Sequence, residues 1–305
     1  MGDLQVLNLL KLEHNQFSAA IPASFSRLNT KQIHVQDNLL TAIPTEIGLM
    51  NTSMNLLNLG DNAISVLPSE LFLLTSLNNL QLYGNKFSSL PSVIGQMENL
   101  DICMEQFSIN DNRVASIPSE IGLLDYFGNW NFANNSIQSF PDVDWSILFL
   151  RKIDLSWNAL IGTIPTQLGL IGLGMFGDFH SLALGNNQLR GTVPTELGLL
   201  MDGLEILDIS FNSLTGSVPS EFGGNMSAPL RFMDLQGNNF TGVLPFELCE
   251  WLCHTRECAA YGSASNSSSL WGPCDSGILL VDCSFLDCEG CDCPEAFGSN
   301  NTSSR

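Results

Sequence analysis

The sequence predicts an α/β repeat solenoid of about ten coils, with a parallel β-sheet on its concave face and short helical or 3-10 turns on its convex face. Three observations predict it. The hexapeptide apolar-x-x-Asn-x-apolar recurs with its Asn at 15, 38, 62, 85, 112, 135, 158, 187, 212 and 238, at spacings of 23 to 29 residues. A proline follows each Asn by six or seven residues, at Pro22, Pro44, Pro68, Pro91, Pro118, Pro141, Pro165, Pro194, Pro219 and Pro245. After several of these prolines the phrase Ser/Thr-Glu-apolar-Gly returns, as in Thr45 to Gly48, Ser119 to Gly122, Thr195 to Gly198 and Ser220 to Gly223.

Each coil opens with a short strand whose alternate residues point inward, such as Leu57 and Leu59, Ile153 and Leu155, or Leu207 and Ile209. One such strand per coil stacks into a parallel sheet. The Asn that follows stands where the chain turns inward, and its side-chain amide can satisfy backbone groups that no ladder reaches. The segment after the proline reads as one helical turn, with Ser/Thr near its start, Glu in its first turn and Gly past its end in the positions that capping favours.

The run Ile153-Asp154-Leu155-Ser156-Trp157-Asn158-Ala159-Leu160-Ile161-Gly162-Thr163-Ile164-Pro165, and Leu207 to Pro219 in the same register, resemble the plant-type leucine-rich repeat of receptor-like proteins and receptor-kinase ectodomains. Between Asn38 and Pro141 the coils lack that glycine and are closer to the shorter leucine-rich type. The resemblance covers roughly residues 4 to 248. It implies a right-handed horseshoe that binds on its concave face. The array with its cysteine-rich tail also resembles leucine-rich-repeat proteins of diatoms and related algae. Three segments are expected: a solenoid over 1–248, a cysteine-rich cap over 249–293 and a disordered tail over 294–305. Leu4 to Leu12 already read as repeat sequence and no signal peptide is visible, so an N-terminal cap is expected to be missing.

Eleven basic against 31 acidic residues give a net charge of -20, which repels phosphates and excludes a nucleic-acid partner. Glu46, Glu70, Glu120, Glu196, Glu221 and Glu247 share one repeat position, so much of the acidity follows from the repeat itself. No apolar run is long enough to span a bilayer. Eight of nine cysteines, Cys249, Cys253, Cys258, Cys274, Cys283, Cys288, Cys291 and Cys293, cluster near the C-terminus. They read as a disulfide cap over the open end of the solenoid, with a zinc site as the alternative. Sequons at Asn51, Asn134, Asn225, Asn239, Asn266, Asn300 and Asn301 join them in pointing to an extracellular or cell-surface setting.

Two coils are long, one around Cys103 and one holding Gly169 to Gly177, and both insertions are expected in convex loops. Outward positions of the sheet lie four, two and one residues before each Asn. They place Asp154, Asp208 and Asp234 in one column, Trp157 and Phe211 in another, and Tyr83 between. Acids beside aromatics suit a protein, peptide or glycan ligand. The sheet would be about 45 to 50 Å long, enough for an extended peptide. His14, His34, His180 and His254 are scattered, no nucleophile converges on a pocket, and no kinase signature is present. No catalytic residue, metal or cofactor is therefore expected. The leading expectation is a receptor-like recognition module that binds on the concave face. The alternatives are an inhibitor of a secreted hydrolase and a structural protein of cell-wall, adhesion or ice-surface type.

Overall fold

The computed structural model describes residues 7–50, 54–74, 76–99, 106–124, 128–172, 179–223, 230–245 and 248, with the backbone of one further strand, Ile278–Leu280. Eleven strands form one parallel sheet: Leu9–Lys11, Gln32–His34, Leu56–Asn58, Asn79–Gln81, Gln106–Ser108, Asn129–Asn131, Lys152–Asp154, Ser181–Ala183, Ile206–Asp208, Phe232–Asp234 and Ile278–Leu280. Their middle residues run in one register through Ile33, Leu57, Leu80, Phe107, Trp130, Ile153, Leu182, Leu207 and Met233. All nine are essentially inaccessible. In the middle coils this spine is aromatic, with Trp130 edge-on to Phe132 at 6.0 Å between ring centres and tilted against Trp145 at 6.1 Å. The eleventh strand comes from within the segment expected to form the cap and pairs with Phe232–Asp234. The cysteines themselves, Cys103 included, lie outside the described residues, as do His254 and the centre of the insertion after Gly172.

The repeated Asn forms the expected ladder, and it is a bridge between coils. Asn158 donates its amide to Leu155 O and Ser156 O in its own coil and to Phe132 O in the coil before. Its Oδ1 accepts the N–H of Ile137, also in the coil before. The same four contacts recur at Asn38, Asn62, Asn85, Asn112, Asn135, Asn187, Asn212 and Asn238. An amide is the side chain that fits, because the site asks for two N–H donors and one acceptor on the same short stem.

The convex turns are 3-10 helices, and the capping expectation is corrected there. In Thr45–Leu49, Ser69–Leu73, Ser119–Leu123, Thr166–Leu170 and Thr195–Leu200 the N-cap is the proline, with no side-chain cap hydrogen bond. The Ser/Thr hydroxyl donates instead to the neighbouring side chain, as from Thr45 to Glu46 and Ser69 to Glu70. The glycine lies inside the turn and does not adopt a left-handed cap. A Cβ on Gly48 would stand 2.5 Å from Glu70 O in the next coil, so glycine is needed for the turns to stack.

The two repeat types differ by one residue with a visible structural result. Coils whose proline stands seven after the Asn place a left-handed residue four after it: Ala19, Gly162, Gly191, Gly216 and Gly242. Coils with the six-residue spacing have none there. The extra residue is absorbed as a local bend, which glycine accepts at least cost. From Ile161 onward these bends carry a second, four-stranded parallel sheet: Ile161–Gly162, Gln188–Gly191, Ser213–Gly216 and Asn239–Phe240. The array is therefore mixed in the way its prolines predict.

Candidate functional site

On the concave face the column four residues before each Asn is not a row of free acids. Asp154 Oδ1 accepts both the N–H of Ser156, at 3.0 Å, and its hydroxyl, at 2.6 Å. Asp208 does the same with Ser210, and Asp234 takes the backbone N–H and side-chain amide of Gln236. These carboxylates brace the strand exit, filling the role that Asn58 and Asn131 fill in other coils by accepting from Gly60 and Ala133. Crowding between coils also buries several outward positions, among them Asn58, Ser108 and Asp234. Asp208 and Asp234 stand directly opposite on paired strands. Burial, assisted by the charge on Asp208, pushes the Asp234 carboxyl up to about 6.

The column one residue before each Asn is the more informative one. All ten of its members are left-handed: His14, Asp37, Asp61, Gly84, Asp111, Asn134, Trp157, Asn186, Phe211 and Gly237. Eight of the ten are Asp, Asn, His or Gly, the types that tolerate this conformation, and that composition is the sequence signal for it. Trp157 and Phe211 are the departures. They hold φ of 55° and 47° and expose 63% and 50% of their surface. A large side chain in this region costs about 1 kcal/mol or more.

Exposure alone does not single them out, because Leu49, Leu73, Leu123 and Leu199 form an exposed row on the convex turns. What separates Trp157 and Phe211 is their large aromatic side chain in a conformation unfavourable to it, on the face that faces inward. Tyr83 is half-buried two residues before its Asn, its ring lying over the backbone of Gly60 in the preceding coil. Gly185, in a coil between the two aromatics, leaves room for the Asp208 carboxylate, whose Oδ1 would be 2.6 Å from a Cβ there. The six residues expected to form the site therefore divide. Trp157 projects into solvent, Phe211 is half-exposed with its ring against Gly237, Tyr83 is partly covered, and Asp154, Asp208 and Asp234 are engaged within their own coils.

Sequence reasoning passed over the N-terminal part of the left-handed column. Asp37, Asp61 and Asp111 are exposed there. His14 Nδ1 lies 2.7 Å from Asp37 Oδ2 and Asn134 donates to Asp111 at 2.7 Å. Asp61 is pushed up by desolvation and by the charges of Asp37 and Asp111. Among the described residues, no group of three or more His, Cys, Asp or Glu is placed to hold a metal ion, and no helix is long and apolar enough to cross a membrane. Of the sequons, Asn134 and Asn239 are exposed; Asn51, Asn225, Asn266, Asn300 and Asn301 lie outside the described residues.

The Leucine Rich Repeat family model matches residues 203–225 and 229–251. Among curated proteins no relative matches. Of solved structures, the plant peptide hormone receptor RGFR1, in complex with RGF2, is similar at 32% identity and a TM-score of 0.71 over 81% of this chain and 39% of that one. The Arabidopsis receptor kinase HAESA, in complex with the peptide hormone IDA and the co-receptor SERK1, is similar at 28% identity and a TM-score of 0.60, over 79% and 44%. A leucine-rich-repeat protein of Leptospira interrogans, LIC12759, gives 27% identity and a TM-score of 0.63 over 82% and 65%. The chain spans less than two thirds of the length of each. With one parallel strand per coil, an Asn ladder and these likenesses, the chain has the fold of a leucine-rich-repeat solenoid and resembles plant receptors of that fold.

Proposed function

We propose that the chain is an extracellular or cell-surface recognition module that binds a peptide, or an extended segment of a protein, across its concave sheet. The observation that carries this reading is the pair Trp157 and Phe211, which keep large apolar surfaces in water at backbone positions that disfavour them. Strain that folding does not require is commonly retained for recognition. The likeness to receptors solved with peptide hormones supports a peptide ligand. The C-terminal cysteines as disulfides, and a glycan at Asn239, fit the same setting.

The test is selection from a random 12-residue peptide display library on the purified protein, followed by calorimetry of the enriched peptides. Binding is expected to fall by tenfold or more in Trp157→Ser/Phe211→Ser and to be unchanged in the convex control Leu49→Ser/Leu199→Ser. Peptides that bind the concave double variant as well as the wild type would overturn the reading, and so would a selection that enriches nothing.

A further inference from the structure

Trp157 and Phe211 stand two coils apart, with Asn186 between them at the same repeat position. The strands that lead to these three residues, Lys152–Asp154, Ser181–Ala183 and Ile206–Asp208, pair in unbroken register. At about 4.8 Å per strand the two aromatic positions are about 9.6 Å apart. Both hold left-handed backbone and both donate their N–H to the next coil, to Gly185 O and Gln236 O. Their Cα–Cβ bonds therefore leave the face alike, and the backbone spacing is the spacing at which the two side chains start. Between them the floor is low. Gly185 has no side chain, and the place of its missing Cβ is taken by the Asp208 carboxylate. Asn186 is half-buried, and its side-chain amide forms no hydrogen bond with another described residue.

That spacing selects among the backbone conformations a peptide can bring. In an extended strand the side chains of one face recur at about 6.7 and about 13.4 Å, and residues three apart face opposite ways. In a polyproline II helix three residues complete a turn of about 9.3 Å, so residues i and i+3 share a face at the distance required. An α-helix returns to one face after about 10.5 Å, but its carbonyls are already hydrogen-bonded. Polyproline II has no internal hydrogen bonds, which leaves its carbonyls open to a donor such as the Asn186 amide at the midpoint. Proline holds this conformation before binding, so it loses little entropy there, and its ring packs on aromatic side chains.

We propose that Trp157 and Phe211 take a polyproline II segment with prolines at i and i+3, one against each ring, and with a carbonyl between them bonded to Asn186. The inference rests on the concave face being a peptide site and adds the ligand's backbone conformation and the spacing of its anchors. Charge adds a further requirement. The strands beneath the rings carry Asp154 and Asp208 against Lys152, in a chain of net charge -20, so the flanks of the segment are basic.

Two fluorescein-labelled peptides of equal composition test it by fluorescence anisotropy. Each starts with Arg-Arg and is otherwise alanine except for two prolines, set as Pro-Ala-Ala-Pro in one and Pro-Ala-Ala-Ala-Pro in the other. The first is expected to bind about tenfold tighter or more. Because the spacing changes in the ligand alone, the folding of a variant does not enter this comparison. Replacing one proline by alanine should cost affinity in the wild type and nothing further in Phe211→Ser, and the other proline should be coupled in the same way to Trp157→Ser. Asn186→Gly, which keeps the left-handed backbone and removes the donor, should weaken binding by about threefold to tenfold. Failure of the first peptide to bind, equal affinity for the two spacings, or prolines uncoupled from the rings would overturn this inference. If the 12-residue library still yields ligands that Trp157→Ser/Phe211→Ser abolishes, with anchors two, four or seven apart, the concave site stands and its ligand is extended or helical. Library peptides insensitive to that double variant would remove both readings.

Discussion

Asn212→Ala removes a side chain that holds two coils together, and its cost can be worked from its partners. The amide donates to Leu184 O at 3.0 Å, Ile209 O at 3.2 Å and Ser210 O at 3.0 Å, while Oδ1 accepts from Leu189 N at 2.9 Å. The residue is 9% exposed, so water cannot replace these bonds in place. A net hydrogen bond contributes about 0.5 to 1.5 kcal/mol, and a buried group left unpaired costs about 1 to 3 kcal/mol. Leu189 N–H is the group without an alternative, and Leu184 O loses its link to the next coil. Together they put the loss at about 3 kcal/mol. Asn15 is the internal control. Among the described residues it makes only the own-coil bonds, to Leu12 O and Glu13 O, and it is exposed. Asn15→Ala should therefore cost about 1 kcal/mol or less. Urea unfolding followed by tryptophan fluorescence reads both, since Trp130 and Trp145 are buried in the array. If the two variants differ by less than about 0.5 kcal/mol, the ladder is not what couples the coils.

Trp157→Asn should raise stability by up to about 1 kcal/mol, because Asn tolerates the left-handed backbone, while it weakens ligand binding; a loss of stability on thermal melting would contradict the strain argument. The folded Asp234 carboxyl is raised from 3.8 to about 6, so its stabilising contribution is full below pH 3.8 and lost as pH rises through 6. Wild type should lose about 3 kcal/mol from this group between those limits and Asp234→Asn should not, giving a gap between their denaturant midpoints that widens from pH 4 to 7. Gly48→Ala tests packing against propensity by its sign: helix propensity favours alanine by about 1 kcal/mol, whereas the clash with Glu70 O predicts a loss of about 1 to 3 kcal/mol on chemical denaturation.

Much of the fold was legible because a repeat states each structural requirement many times. The Asn position, the alternating strand and the proline each recur ten times, so a chance residue in one coil cannot hide them. The distinction between six- and seven-residue spacing was also visible, and it maps onto the left-handed bend and the second sheet. The convex turn is present as expected, and only its capping was misread, because Ser/Thr and Gly are helix-capping residues in isolation. In the array the same residues answer to the neighbouring coil, and the glycine at 48 is fixed by Glu70, 22 positions on. The local partners of the candidate-site acids were out of reach of the sequence for a related reason. Alternation gives the direction in which Asp154 and Asp208 leave the strand, but the hydroxyls of Ser156 and Ser210 two residues later decide what they bind.

Why the ligand surface should lie one residue before the Asn follows from how that backbone is held. Trp157 N donates to Gly185 O at 2.9 Å and its carbonyl accepts from Asn135 N at 3.2 Å. Phe211 N donates to Gln236 O at 2.8 Å and its carbonyl accepts from Asn187 N at 3.2 Å. Both backbone groups are thus tied to the coils on either side, and the next residue is locked by its four amide contacts. At Trp157 and Phe211 the side chain in between takes no part in this bracing, whereas His14 meets Asp37 and Asn134 meets Asp111 from coil to coil. The identity of this residue can therefore change from His to Asp, Gly, Trp or Phe while the backbone stays left-handed, at a cost of about 1 kcal/mol for the least suited types. Asp154, Asp208 and Asp234 lack that freedom, since each already satisfies backbone and side-chain donors two residues on. In a scaffold where most positions answer to a neighbour, the left-handed column is the one on which specificity can be written without disturbing the stack, and it is there that this chain sets its carboxylates and its exposed aromatics.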